Sequence, residues 1–501
     1  MINKNYLKYL FKSKKIAWVF FLGMYMAICL PSFISGNNDV AGNYSFALNC
    51  SVVLALAMTF ILPVFLFSFV HKKRSCDVYF ALPVRRSELL WTTVLFSFLI
   101  TFGYFLITVI VATLITISHT GVTLFELALF ICFMSIGILI LLIIHSCIYL
   151  FANNMFDGIV MLVSYVALPV AFLMVVSTIC DKLQMTFIIR SLQMNYLSPL
   201  STVFINAECL VGKIEILKPV QYLKSVTGEP FSFSQILVLT GYAAVAVLLL
   251  KVHFINRKNE RAEQVSNELL SYPIIINVYL ICLLLTLAFA GSSGFGEMIF
   301  ILYAGLFFVY MTSLFVYKRK IKVYWKNAVY FIVVALVTIG FAQISYINKG
   351  FGIPYAYPVR SGETVTYSYW AYNLDTELNE KEPGPSDKYS ITVSFDLIMN
   401  TNSLDEENKN VFEMMEKYRT KLIDENLENR EYYPSYNGSL SITNDIKNKN
   451  VNNDYYQAMS TLRLEELKEI SKYTKVEVEV YDYENDTDEI YTLNEYLERF
   501  A

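Results

Sequence analysis

Charge is scarce in this chain. Only 17% of its 501 residues are Asp, Glu, Lys or Arg, too few for a soluble protein of this size. Histidine is scarcer still, with four in all (71, 119, 145 and 253) and no HExxH or comparable pair, which argues against a zinc-dependent membrane enzyme. There is no GxxxxGK followed by Ser or Thr, so the chain lacks the usual loop for cradling nucleotide phosphates and is not expected to be an enzyme by itself. The eight cysteines all precede residue 348 and show no CxxC spacing, so buried free thiols and no zinc are expected. Cys180 and Cys209, in or beside one long connection, are the only pair open to bridging, and only if that connection is exoplasmic. An acidic run at 482–490, with Asp482, Glu484, Asp486 and Asp488 alternating, fails as a calcium loop. Thr487 stands where Gly is required and Leu493 where the terminal Glu belongs, so a solvated turn is the expectation.

What is abundant is apolar sequence: 55% hydrophobic residues and a mean hydropathy of +0.45. The fold class expected is a polytopic α-helical membrane protein. A span needs about 20 mostly apolar residues, and nine segments qualify: 17–35, 46–70, 90–117, 124–151, 158–179, 233–255, 273–291, 296–317 and 327–347. The first is not expected to be a cleaved signal, because its run is long, lacks a small-residue cleavage pattern and leads directly into more spans.

Lys and Arg orient these spans. They cluster in residues 4–15, in 72–86, in 257–261 and in 318–326, whereas the alternate connections 36–45, 118–123 and 292–295 have none. The N-terminus and the loop 71–89 are therefore expected in the cytoplasm of a cell, and the C-terminal portion outside its membrane. The charges divide accordingly: residues 1–347 hold 24 Lys and Arg against 13 Asp and Glu, and residues 348–501 hold 16 against 30.

Two regions outside the bilayer are large. The connection 180–232 is too long for a turn and has a mixed polar and apolar texture suited to the membrane surface. Residues 348–501 read as an extracytoplasmic α+β domain, large enough to fold alone. Strand-like alternation occurs near 365–370, 391–395 and 476–480, and helices are expected from the Ser403–Glu406 capping pattern through Leu422, at 461–472 and at 493–500, where Thr492 and Glu495 repeat that pattern. The segment 444–454 reads as a loop, and no internal repeat is present.

Ionisable residues in spans are candidates for a transport path. Glu126, Glu297 and Lys251 fall near predicted ends. His145 lies deeper and is the one possible intramembrane polar site, against the plainer reading of an imidazole hydrogen-bonded to a neighbouring helix. A proton-coupled carrier would carry more buried carboxylates.

The stretch CDVYFALPVRRSELLW, Cys76 to Trp91, combines an apolar group, a Pro corner and a charged edge. Pro83 ends any helix begun at Val78–Leu82. A short amphipathic helix there lies flat on the cytoplasmic face and either rests in the lipid interface or docks into a groove on a soluble partner.

DVYFALPVRRSELL resembles the cytoplasmic coupling loop of ABC transporter permeases of the ABC-2 type. The resemblance covers Asp77, Tyr79, Leu82, Pro83, Arg85, Arg86, Glu88 and Leu89. Around it, residues 1–16 match the family's amphipathic segment, residues 17–255 its six-span core with the coupling loop at 71–89, and 180–232 its external connection. A linker at 256–272, three further spans at 273–347 and the domain 348–501 depart from that core and resemble Gram-positive bacterial permeases with an extra C-terminal domain.

The resemblance implies an efflux permease half with no cofactor of its own, paired with a second permease chain, identical or different. ATP would be hydrolysed on a separate ABC ATPase subunit. Asp77, Tyr79, Phe80, Leu82, Pro83, Arg85, Arg86 and Glu88 are the implied coupling residues, with Tyr79, Phe80 and Leu82 filling the ATPase groove. No nucleic acid partner is expected. The rival reading is a membrane receptor or scaffold whose outer domain binds a ligand without transport; the external balance of -14 suits either a cationic ligand or a solvated cap.

Overall fold

The computed structural model describes residues 2–500 except 14, 31–39, 120–121, 184, 186–196, 215–232, 267, 269, 292–297, 321–323, 356–363, 373–388, 401–405, 430–437, 446–451, 460–463 and 483–486. Among the described residues eight helices are long and apolar enough to cross a membrane: α3 Val40–Leu66, α5 Arg86–His119, α6 Leu124–Leu150, α7 Met155–Lys182, α9 Phe233–Ile255, α10 Tyr272–Ala290, α11 Met298–Lys318 and α12 Trp325–Ile347. The chain is thus a multi-pass helical membrane protein; the nine segments expected compare with eight such helices among the described residues. The first expected span forms α2, Lys15–Cys29. At 15 residues it covers about 22 Å, short of a hydrocarbon core of about 30 Å. The rest of that segment lies among the undescribed residues 31–39.

The chain divides into two units. The first comprises residues 1–171, 194–279 and 312–323. Here α1, Lys4–Ser13, precedes α2 and turns Tyr6 and Leu10 inward, as an amphipathic helix does. Its start is pinned by Asn3, whose amide donates to Thr92 Oγ1 at 3.0 Å. Between α7 and α9 lies α8, Pro199–Lys213. Ser198 caps it, accepting from the Ser201 amide, and Pro199 occupies the first turn, where its missing N–H costs nothing.

The expected surface connection therefore contains a packed helix. α8 packs against α3 and α6 with Val203, Ala207 and Leu210 fully buried. A Cβ on Gly137, midway along α6, would meet Val203 Cγ1 at 2.8 Å, so the glycine is what permits this approach. Asn206 donates to Thr202 O and to Gln235 Oε1, at 2.8 and 3.1 Å, which keeps its buried amide hydrogen-bonded.

The second unit comprises residues 172–193, 280–311 and 324–501. Its C-terminal part carries a six-stranded antiparallel sheet in the order β4-β3-β1-β2-β5-β6, built from β1 Thr364–Tyr372, β2 Tyr389–Asn400, β3 Gly438–Asp445, β4 Asn452–Met459, β5 Glu477–Asp482 and β6 Thr487–Thr492. Strand alternation sends Tyr367, Tyr369, Val393, Phe395, Val478 and Val480 to one face. That face packs with α13 Glu406–Asn429 and α14 Leu464–Ile470 through Val411, Met415, Leu467 and Ile470. The same core takes in Cys180 and Leu183 of the α7 end, Phe289 of α10 and Ala342 and Tyr346 of α12.

The strands near 365, 391 and 476 and all three helices match expectation. α15, Leu493–Phe500, has the reciprocal cap: the Thr492 amide donates to Glu495 Oε2 at 2.9 Å and the Glu495 amide to Thr492 Oγ1 at 3.4 Å. Ser403, the expected cap of α13, lies outside the described residues. All eight cysteines are free, so Cys180 and Cys209 are not bridged.

The sheet domain follows α12 through Lys349–Tyr355, where Lys349, Gly350, Phe351 and Gly352 take φ of 47°, 64°, 57° and 75°. Two of these four left-handed residues, Lys349 and Phe351, are not glycine and need outside support. Arg419 supplies it by donating to Pro354 O at 3.1 Å and Tyr355 O at 3.3 Å, itself held by Glu416 at 2.7 Å.

Candidate functional site

The chain leaves α3 through a tight turn at Ser68–His71 and enters α4, Lys73–Phe80. Cys76, Tyr79 and Phe80 fall at i, i+3 and i+4 and share one face. Cys76 is fully buried, Tyr79 stacks on Phe69 at 4.2 Å, and Phe80 meets the Phe254 ring edge-on at 5.9 Å. The hydroxyl of Tyr79 is pushed well up by burial and by hydrogen bonding with Tyr9. The opposite face carries Arg74, Asp77 and Val78, all exposed.

Beyond Phe80 the Ala81 amide donates to Asp77 O at 3.0 Å, and the Val84 amide turns back to Leu82 O at 2.7 Å around Pro83. The proline's fixed φ makes that corner. Arg85 O then accepts from the Leu89 amide at 3.0 Å, opening α5, and Glu88 in its first turn suits the positive end of the helix.

Arg86 faces inward. Its Nη1 donates to Ile255 O at 3.1 Å and to Arg257 O at 2.7 Å, and its guanidinium lies 4.3 Å over the Phe80 ring. Of the coupling residues expected from sequence, Tyr79, Phe80 and Arg86 therefore anchor the loop to its own unit. They do not project as groove-filling side chains. What the loop presents is Val78, 65% exposed, with Ala81, Leu82 at 37% and Pro83, rimmed by Lys72, Lys73, Arg74 and Arg85 with one acid, Asp77. Val78 went unnoticed in the sequence as a presented side chain, although its spacing of four from Leu82 could have found it.

The loop also rests on a polar network from the linker. The Lys73 amide donates to Glu263 Oε1 at 3.3 Å, and the Glu263 amide to Asn153 O at 2.9 Å. The Asn153 amide donates to Ser266 Oγ at 2.9 Å, and Ser266 Oγ donates to Asp157 Oδ2 at 2.9 Å. Asp157 accepts a second hydroxyl, from Tyr272, at 3.1 Å and has Arg319 at 3.8 Å. None of Glu263, Asn153, Ser266 or Asp157 belongs to a motif, so sequence reasoning passed over them.

His145 is set apart from this surface. Thr59 Oγ1 donates to Leu56 O at 2.6 Å, so the His145 Nδ1–H donates to Thr59, with Oγ1 at 3.0 Å and the carbonyl at 3.2 Å. The ring stacks on Phe60 at 4.0 Å. That is an imidazole joining two helices, the plainer of the two readings.

No family model matches the chain, and neither a curated protein nor a solved structure does.

Proposed function

We propose that this chain is the permease subunit of an ATP-driven ABC transporter and receives its driving motion through the loop 71–89. The observation that carries the reading is the loop's two-sidedness: a short helix whose aromatic face and Arg86 are locked inward, presenting a small apolar tip inside a basic rim. A rigid mount suits a part that must transmit force, and an apolar centre inside a charged rim is the anatomy of a protein interface. The complementary partner is an ATPase subunit with an apolar groove edged by carboxylates, which holds the ATP that this chain has no loop to bind.

The distribution of Lys and Arg supports a cytoplasmic N-terminus and an extracytoplasmic sheet domain in the cell membrane. Two permease chains enclose the pathway, and substrate moves outward. The tie from Lys73 to Glu263, and on through Asn153 and Ser266 to Asp157, gives movement of the loop a route to α7 and α10.

The test is affinity purification of the full chain from its native membranes in gentle detergent, with and without Leu82→Asp and Val78→Asp. An ATP-binding-cassette subunit is expected with the normal chain and lost with either variant, while membrane insertion and the thermal midpoint hold. Absence of an ATPase from every sample, with nucleotide present, would sink the proposal and favour a receptor or scaffold. Retention by both variants would remove the docking assignment alone.

A further inference from the structure

Three stretches of chain end at one buried point beneath α4. His71 closes the turn after α3, Tyr149 lies in the last turn of α6, and Arg257 follows α9 by two residues. They are 2%, 0% and 4% exposed. The His71 ring stands edge-on to Tyr149 with centroids 4.6 Å apart, and Arg257 Nη1 donates to Leu150 O at 2.9 Å, which holds the guanidinium at the same helix end. Gly158 leaves the room that the Tyr149 ring fills, since a Cβ there would lie 2.6 Å from it.

Among the described residues, Arg257 Nε and Nη2, the Tyr149 hydroxyl and both His71 ring nitrogens have no hydrogen-bond partner. The Asn153 carbonyl favours protonation of His71 without completing a hydrogen bond of normal geometry. Glu268, the carboxylate that acts on Arg257 electrostatically, is itself engaged by Arg261 and His253. Burial of a guanidinium with no carboxylate of its own is costly, and each unmet donor adds to that cost.

The unmet groups share a chemistry. Burial, with the nearby Arg257 charge, pushes His71 down to about 3, so it is neutral and offers one N–H. Burial brings Arg257 down only to about 10, so it remains a cation and offers three N–H bonds from Nε and Nη2. Tyr149 adds an O–H. A water molecule has two acceptor positions and leaves the charge unbalanced, whereas one anion accepts from all these donors and neutralises the guanidinium.

We infer that Arg257, Tyr149 and His71 form a buried binding site for a small inorganic anion of the halide class. Bound there, the ion ties the turn before α4 to the ends of α6 and α9, the ground on which the exposed loop is mounted. The site stands independently of the permease reading.

The test is thermal unfolding of the full-length protein in detergent, followed by intrinsic fluorescence, as chloride replaces gluconate at constant ionic strength. The wild type is expected to show a saturable rise of about 2–4 °C, matched by bromide. Tyr149→Phe should raise the half-saturating chloride concentration about tenfold, and Arg257→Gln should remove the rise. These variants separate the site from general salt effects. An unchanged midpoint in the wild type overturns the inference, and so does an identical rise in the variants. If Arg257→Gln fails to fold, Tyr149→Phe decides alone.

Discussion

Arg86 donates through one nitrogen to the carbonyls of Ile255 and Arg257, at 3.1 and 2.7 Å, so the first residue of α5 is fastened to the end of α9. A cation at a helix C-terminus is well placed, because the last carbonyls there have no partner within the helix. The contact ties the loop 71–89 to a segment some 170 positions later in the chain.

Arg86→Lys keeps the charge, but its compact ammonium cannot reach both carbonyls and also lie flat over Phe80 as the guanidinium does. Loss of these charge-assisted hydrogen bonds is expected to cost about 1–3 kcal/mol locally. Hydrogen exchange of the amides of residues 78–90 should quicken, with the rest of α5 unchanged. Unaltered exchange across the loop would mean that α4 is held by its aromatic face alone.

Asp157 accepts hydroxyls from Ser266 and Tyr272, at 2.9 and 3.1 Å. Asp157→Ala leaves both without their acceptor and should destabilise the full chain by about 1–3 kcal/mol. Asp157→Asn can turn its oxygen toward Ser266 and its amide toward Tyr272, so it should lose less than half as much. Arg319 at 3.8 Å is nearly half exposed and adds little. Thermal midpoints of the two variants check the ordering; equal losses would point to the negative charge and not the hydroxyl contacts.

Much of this architecture is legible in the sequence because bilayer and sheet impose periodicities that local composition must obey. The long apolar runs become α3, α5, α6 and the later spans, and the alternation around Tyr367, Val393 and Val478 becomes β1, β2 and β5. β3, GSLSITND, alternates only at Leu440 and Ile442, and β4, NNDYYQAM, not at all; they take their state from strand pairing, β3 with β1 and β4 with β3, which no short window contains. In the loop, an apolar cluster is evident from Val78 to Leu82. Which members turn inward depends on Phe69 and Phe254, the second of them 174 positions from Phe80. Arg257 and Asp157 are single charged residues in sequence, and only tertiary packing gives them their surroundings.

Asp424 links the sheet domain's helix α13 to the segment after α12, accepting from Lys349 Nζ at 2.5 Å and Tyr355 OH at 2.7 Å. These hydrogen bonds hold its carboxyl below the usual range. A depressed folded pKa contributes stability that is present above the unfolded value near pH 4 and disappears as pH falls through the folded value. Both side chains of the ion pair are well over a third exposed, so solvent screening limits the contribution to below about 1 kcal/mol. Asp424→Asn should therefore lower the thermal midpoint slightly at pH 7 and by less at pH 3. An equal drop at both pH values would assign the effect to packing.

Gly137 and Val203 test how deeply α8 is set against α6. A methyl group on Gly137 would lie 2.8 Å from Val203 Cγ1, and a β-branched valine fixed on a helix has little freedom to yield. Gly137→Ala is expected to destabilise the chain by about 1–3 kcal/mol through overpacking, even though alanine is the better helix former. Val203→Ala alone removes buried methyl groups and should also destabilise. Combined, the added and removed volumes compensate, so the double variant should be more stable than the sum of the two losses allows, a coupling of about 1 kcal/mol or more. Thermal unfolding of the four proteins measures that coupling. Strict additivity would mean that α8 does not press on the middle of α6, and the connection between α7 and α9 would then lie at the membrane surface, as its sequence first suggests.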